Sequence, residues 1–137
     1  MTESWVLDSY AVLALLQEEP GSDEVLQRLE QAQRGEAQVL MTWVNVGEVV
    51  YIVERERGKS TAHRVLGMLE ATALEIVDAG RDLTLLAAEI KAEHRLAYAD
   101  AFAAALAIQE QAVLITGDPE LRQMEGRVRI HWLPQAS

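Results

Sequence analysis

Five short apolar runs, each no longer than a strand and each separated from the next by a stretch of helical character, limit this chain to very few architectures. The clearest is Ala112-Val113-Leu114-Ile115-Thr116. Before it come Trp5-Val6-Leu7, Val39-Leu40-Met41 and Leu74-Glu75-Ile76-Val77, and after it Val128-Arg129-Ile130-His131-Trp132, read as an edge strand. Runs without polar alternation are buried on both faces, and strands joined through helices pair in parallel. The expectation is an α/β fold with a mostly parallel central sheet and helices on both faces.

The intervening segments carry their own signals. Ser9 to Leu16 suits a helix directly after the first strand. Ser22 is placed to cap a second helix running to about Gln33, with Val25, Leu26 and Leu29 on one face and Gly35 as its stop. Further helices are expected from Ser60-Thr61, from Asp82 to about His94, and from Asp100 to about Gln111, the last rich in alanine for close packing. Trp43 to Val53 is ambiguous, because its valines favour a strand while Trp43, Val46, Val50 and Val53 fall at helical spacing. Its continuation into Glu54-Arg55-Glu56-Arg57 decides for a helix, with Thr42 as its cap.

The 137 residues fit a single domain, residues 1–137 with a core of about 4–133, and no linker-like tract divides them. Without cysteine the chain has no disulfide, thiolate metal site or cysteine nucleophile, which suits a cytoplasmic setting. The first apolar stretch is broken by Asp8 and too short for export or spanning, so no membrane association is expected. Twelve basic residues against 22 acidic ones give a net charge of −10, which opposes generic attraction to phosphate backbones. Bound cations or a local arginine patch can reverse that field.

Acids at strand ends command notice, since ligands of open parallel sheets gather outside the carboxyl ends of the strands. Asp8 follows the first run, and Asp118 follows Thr116-Gly117. Either is equally well a helix cap, and Asp118-Pro119 would then put proline at the first helical position. Asp100 is likewise a cap or a first-turn residue favoured by the helix dipole. Glu48 differs: it is the only charge between Thr42 and Val53, set among valines, and calls for either a salt bridge or a shared site. Four converging carboxylates would repel one another unless a hard cation such as Mg2+ or Mn2+ neutralised them.

Four segments in this order resemble the PIN domain, and within it the VapC-type toxins of bacterial and archaeal toxin–antitoxin pairs. They are Val6-Leu7-Asp8-Ser9-Tyr10-Ala11, Asn45-Val46-Gly47-Glu48-Val49, Tyr98-Ala99-Asp100-Ala101-Phe102-Ala103-Ala104-Ala105 and Leu114-Ile115-Thr116-Gly117-Asp118-Pro119-Glu120. The resemblance spans nearly the whole chain and implies a three-layer α/β/α sandwich. It implies that Asp8, Glu48, Asp100 and Asp118 are catalytic and bind one or two divalent ions, Mg2+ or Mn2+, with Ser9 and Thr116 supporting them by hydrogen bonds. Asn45, one turn before Glu48, is expected to face the same pocket. Two positions depart from the common pattern: Ala97 replaces a frequent serine, and Ser9 a frequent threonine. Neither removes a ligand.

The activity implied is hydrolysis of an RNA phosphodiester bond by a metal-activated water, with the 3′-oxygen leaving. His63, His94 and His131 have no metal-ligand spacing and read as structural or surface residues. Arg55, Arg57 and Lys59, with Arg64 nearby, are the densest basic group. They are RNA contacts or, more simply, a solvated helix end of alternating charge. The resemblance also implies a homodimer and a small VapB-like antitoxin that wraps the first helices and masks the acids, an arginine being the natural inhibitor. Leu13, Leu16, Val25 and Leu29 would line its groove, or belong to the core. Rival readings are a housekeeping RNA-processing nuclease, a non-cleaving RNA- or protein-binding scaffold, a structure-specific DNA nuclease, and a phosphoaspartyl enzyme. The last lacks its second aspartate, since Tyr10 stands two residues after Asp8, and its late-strand lysine.

Overall fold

The computed structural model describes residues 3–135. The chain begins with β1 (Glu3–Leu7), α1 (Ser9–Leu16), α2 (Ser22–Gln33) and β2 (Ala37–Thr42). It continues with α3 (Trp43–Arg57), α4 (Lys59–Ala71), β3 (Glu75–Val77), α5 (Arg81–Glu93) and α6 (Tyr98–Glu110). β4 (Val113–Thr116), a 3-10 helix (Pro119–Met124) and β5 (Ile130–Trp132) complete it. The strands lie in the order β3-β2-β1-β4-β5, and every pairing is parallel, not merely most of them.

The apolar runs divide between two faces as the pleat requires. Val6, Leu40 and Leu114 point to one side, where Leu83, Ala87 and Ile90 of α5, the alanines of α6, and Leu121 and Met124 of the 3-10 helix cover them. Trp5, Leu7, Val39, Met41 and Ile115 point to the other, against α1 to α4. The result is the three-layer α/β/α sandwich. Residues 101–107 of α6 are all buried, and five of them are alanine, which lets this helix lie close to both sheet and α5.

The ambiguous valine-rich segment is helical. Thr42 caps it by accepting from the Asn45 amide at 3.0 Å, and Val46, Val49 and Val53 form its buried stripe. Several boundaries differ from expectation. Gly21, not Ser22, is the N-cap of α2, with φ of 97°. A Cβ there would also sit 3.0 Å from the Leu133 side chain, so only glycine serves. α6 starts at Tyr98, which places Asp100 inside its first turn. β5 is confined to Ile130–Trp132, shorter than the run from Val128, with the Arg129 carbonyl accepting from the Leu114 amide at 2.9 Å where the pairing with β4 begins. No helix among the described residues is long and apolar enough to cross a membrane.

Candidate active site

The strand order fixes where a ligand can lie. The chain moves outward from β1 through β2 to β3, then returns across the sheet to β4 on the other side of β1. β1 and β4 therefore flank the switch point, where the connections leave a crevice at the carboxyl ends. Leu7 stands opposite Ile115 in the register, so Asp8 and Thr116 emerge side by side.

Asp8 is fully buried. Its Oδ1 accepts from the Ala11 amide at 2.9 Å, which makes it the cap of α1, while its Oδ2 accepts from the Thr116 hydroxyl. Capping and membership of the acidic site are thus not alternatives, since one oxygen serves each. Thr116 Oγ1 in turn accepts from the Asp118 amide at 3.0 Å, which ties the two acids together through one hydroxyl. Asp118 is half-buried and caps the 3-10 helix, its Oδ1 accepting from the Glu120 amide at 2.9 Å.

Asp100, Asp118 and Glu120 each present a carboxylate oxygen within 4.8 Å of the others. Asp8 and Glu48 lie outside that tight set, but their charges reach it. Burial pushes the Asp100 carboxyl up to about 8, assisted by the charge and hydrogen bond of Asp118 and by the charges of Asp8 and Glu48. Burial likewise carries Asp8 up to about 7, with Asp118 and Glu48 adding to it; the Thr116 and Ala11 hydrogen bonds act in the opposite direction. No ion pair with Lys, Arg or His is made by any of these acids among the described residues. Glu48 is half-buried, turned away from the Val46-Val49-Val53 stripe, so the salt-bridge reading has no partner to support it.

A hard divalent cation fits this donor set. The available atoms are all carboxylate oxygens, two of the acids are buried with no neutralising side chain, and their mutual repulsion is what an ion would relieve.

Asn45 is a brace and offers nothing to the pocket. It is fully buried, its Nδ2 donating to Ser9 Oγ at 3.3 Å and to the Ala99 carbonyl at 3.0 Å, its Oδ1 accepting from the Thr42 hydroxyl at 2.6 Å. Ser9 Oγ donates to the Asn45 carbonyl at 3.2 Å. The starts of α1, α3 and α6, which carry Asp8, Glu48 and Asp100, are held together by this one side chain. Arg55, Arg57 and Lys59 are not brought to the acids: they lie at the far end of α3 and the start of α4, with Arg55 about 10 Å beyond Glu48 along the axis.

Glu120 is the acid that sequence reasoning missed. Its signal was local, since proline at the first position of a tight helix turns Glu120 back on its cap Asp118. Tyr10 is a second missed neighbour. A Cβ on Gly117 would fall 2.2 Å from its ring, so glycine is what lets the tyrosine cross the end of β4. Its phenol is raised by burial and by the charges of Glu19, Asp8 and Asp118.

An apolar groove of about 560 Å3 lies away from the acids, lined by Leu15, Leu16, Leu26, Leu29, Met68 and Leu69, with Glu18 and Glu30 beside them. Val25 is core and does not line it, and Leu29 contributes only from a buried position. Its exposed large apolar side chains are Leu26 and Met68. His131 is structural, with Nε2 3.0 Å from Glu24 and its ring edge-on to Trp5.

Comparison with known proteins agrees with this architecture. Among solved structures, the chain is similar to VapBC2 from Rickettsia felis bound to a promoter DNA fragment, with TM-score 0.74 and 20% identity over 96% of this chain and 99% of that one. It is similar to DNA-bound VapBC from Salmonella typhimurium, with TM-score 0.70 and 18% identity over 96% and 98%. It is also similar to VapC20 of Mycobacterium tuberculosis, a sarcin-ricin loop cleaving toxin, with TM-score 0.70 and 16% identity over 95% and 99%. Among curated proteins no match was found. A family model described as PIN domain matches residues 5–127, which takes in every acid of the crevice. The chain belongs to the PIN domain family.

Proposed function

We propose that this chain is a metal-dependent endoribonuclease and the toxin of a toxin–antitoxin pair. The observation that carries the reading is the convergence of Asp100, Asp118 and Glu120 within 4.8 Å beside buried Asp8 at the switch point of a PIN fold. Asp8, Glu48, Asp100 and Asp118, joined by Glu120, would hold one or two divalent ions, Mg2+ or Mn2+. Such an ion, when bound, supplies charge neutralisation at a phosphodiester and a water acidic enough to attack it near neutral pH. The protein's own contribution is placement. Thr116 holds Asp8 and the Asp118 backbone in one chain of hydrogen bonds, and Asn45 fixes the helix starts that carry Glu48 and Asp100.

The similar VapBC structures contain an antitoxin, and the apolar groove between α1, α2 and α4 suits one. Its Glu18 and Glu30 favour an amphipathic helix with basic flanks. The chain acts as a homodimer in the cytoplasm on this reading. Purified free of partners, it is expected to cut RNA with Mg2+ or Mn2+ and to stop with chelator. Asp100→Asn is expected to lower the rate about 100-fold or more, as losing a group that stabilises developing charge does. Full metal-dependent cleavage by both Asp8→Asn and Asp118→Asn would refute the site. A neighbouring short reading frame for a DNA-binding antitoxin separates a toxin from a housekeeping nuclease.

A further inference from the structure

A cleft of about 720 Å3 lies between the α5–α6 turn and the 3-10 helix, lined by Lys91, Glu93, His94, Arg95 and Glu120 among others. Glu120 lines this cleft and belongs to the acid cluster, so the two are neighbours across one side chain. The charge balance inside is unlike the rest of this acidic chain. Glu93 is paired with Arg127 at 3.4 Å, whereas Lys91 and Arg95 are exposed and make no ion pair among the described residues. Two cations without an ion pair among the described residues therefore line a cleft that Glu120 shares with Asp100 and Asp118.

The turn that carries Arg95 is also fixed in place. Gln123 accepts from the Arg95 amide at 3.3 Å and donates to the Arg95 carbonyl and the Glu120 carbonyl, both at 3.1 Å. This double clasp ties the backbone of the turn at Arg95 to the backbone at Glu120, which fixes where the exposed Arg95 side chain starts. Directly after the turn, Tyr98 packs against Phe102 with ring centroids 4.9 Å apart and planes tilted by 56°, and it leaves nearly half its surface exposed. A cation pair followed by a supported aromatic ring is the arrangement that takes a phosphate and its neighbouring base in a single strand.

We infer that this cleft is a nucleotide subsite for single-stranded RNA, with Arg95 and Lys91 taking the phosphate next to the scissile one and Tyr98 stacking on a base. It rests on the nuclease reading above and assigns the substrate path to it, in place of the remote Arg55-Arg57-Lys59 group. Gln123 is a positioning residue.

The test is equilibrium binding of a fluorescent single-stranded oligoribonucleotide to the full chain in chelator, where no cleavage occurs. Arg95→Gln is expected to weaken binding about tenfold, the low end for a charged hydrogen bond, and to flatten the salt dependence by about 0.7 in log–log slope. Tyr98→Ala is expected to weaken the base-bearing strand but not an abasic strand of equal charge, and Gln123→Ala to weaken both while Arg95→Lys retains most of the affinity. Unchanged affinity and slope in Arg95→Gln and Lys91→Gln, or equal losses on Arg55→Gln, overturns the subsite. Cleavage by the parent chain with Mg2+ or Mn2+ is scored separately. Cutting without an Arg95 effect on binding leaves the nuclease and removes the subsite, and an Arg95 effect without cutting does the reverse. If Arg95→Gln alters binding of an acidic protein partner but not of RNA, the cleft is a protein contact and the inference fails.

Discussion

At the scale of single residues, the acidic crevice is built to be uncomfortable without a cation. Asp8, raised to about 7, and Asp100, raised to about 8, bind a proton more tightly folded than unfolded. Between the ordinary aspartate range and those values the folded state carries the extra protons, so metal-free stability falls as pH rises from about 4 through 8. The expected outcome is a melting temperature several degrees lower at pH 8 than at pH 5 in chelator, with the difference reduced by Asp100→Asn and removed by added Mg2+ or Mn2+. Calorimetry at the two pH values decides it, and a melting temperature that rises with pH would contradict the assignment. Gly117 makes a second prediction at this scale. Gly117→Ala drives a methyl into the Tyr10 ring, and chemical denaturation is expected to show a loss of about 1–3 kcal/mol, relieved in the double variant with Tyr10→Ala.

At the scale of elements, Asn45 joins three helix starts that belong to three separate segments of chain. Asn45→Ala leaves Thr42, Ser9 and the Ala99 carbonyl short of partners and is expected to cost about 1–3 kcal/mol in denaturant unfolding. Its effect on cleavage should exceed its effect on stability, because Glu48 and Asp100 ride on two of the helices it holds. Leu26→Glu and Met68→Glu, both at exposed groove positions, are expected to leave cleavage and melting unchanged while abolishing capture by the antitoxin in a co-purification assay. Element identity was largely legible from the chain. The runs of β1, β2 and β4 could be read because these strands are buried on both faces, and α3 because its charged tail outweighed its valines. Starts of helices were less so: α6 begins at Tyr98 with no capping side chain on Ala97, which leaves no local mark to read.

For the whole molecule, the acids could be picked out one at a time, Asp8 and Asp118 from strand ends and Glu48 and Asp100 from helices, but their meeting could not. Asp8 and Asp118 could be read as acids after strands, yet that they meet depends on β1 lying beside β4, a pairing no local pattern encodes. Glu120 was overlooked because a 3-10 turn, not a helical face, brings it to Asp100. Arg95 and Lys91 were passed over for the denser Arg55-Arg57-Lys59 group, since a run of charge shows in the sequence and a cleft between Arg95 and Glu120 does not. The dense group lies at the end of α3 and the start of α4, while Arg95 and Lys91 line the cleft that Glu120 shares.

The order in which the chain is made gives the groove and the crevice different birthdays. All groove-lining residues lie between Leu15 and Ala73, and β1, β2 and β3 are already neighbours in the sheet by Val77. The crevice waits for β4, for the Thr116 hydroxyl to reach back to Asp8, and for Glu120 to emerge. On the proposed reading, the residues that would seat a restraining partner are all synthesised before those that complete the cutting centre, so restraint could precede the hazard within the synthesis of one molecule.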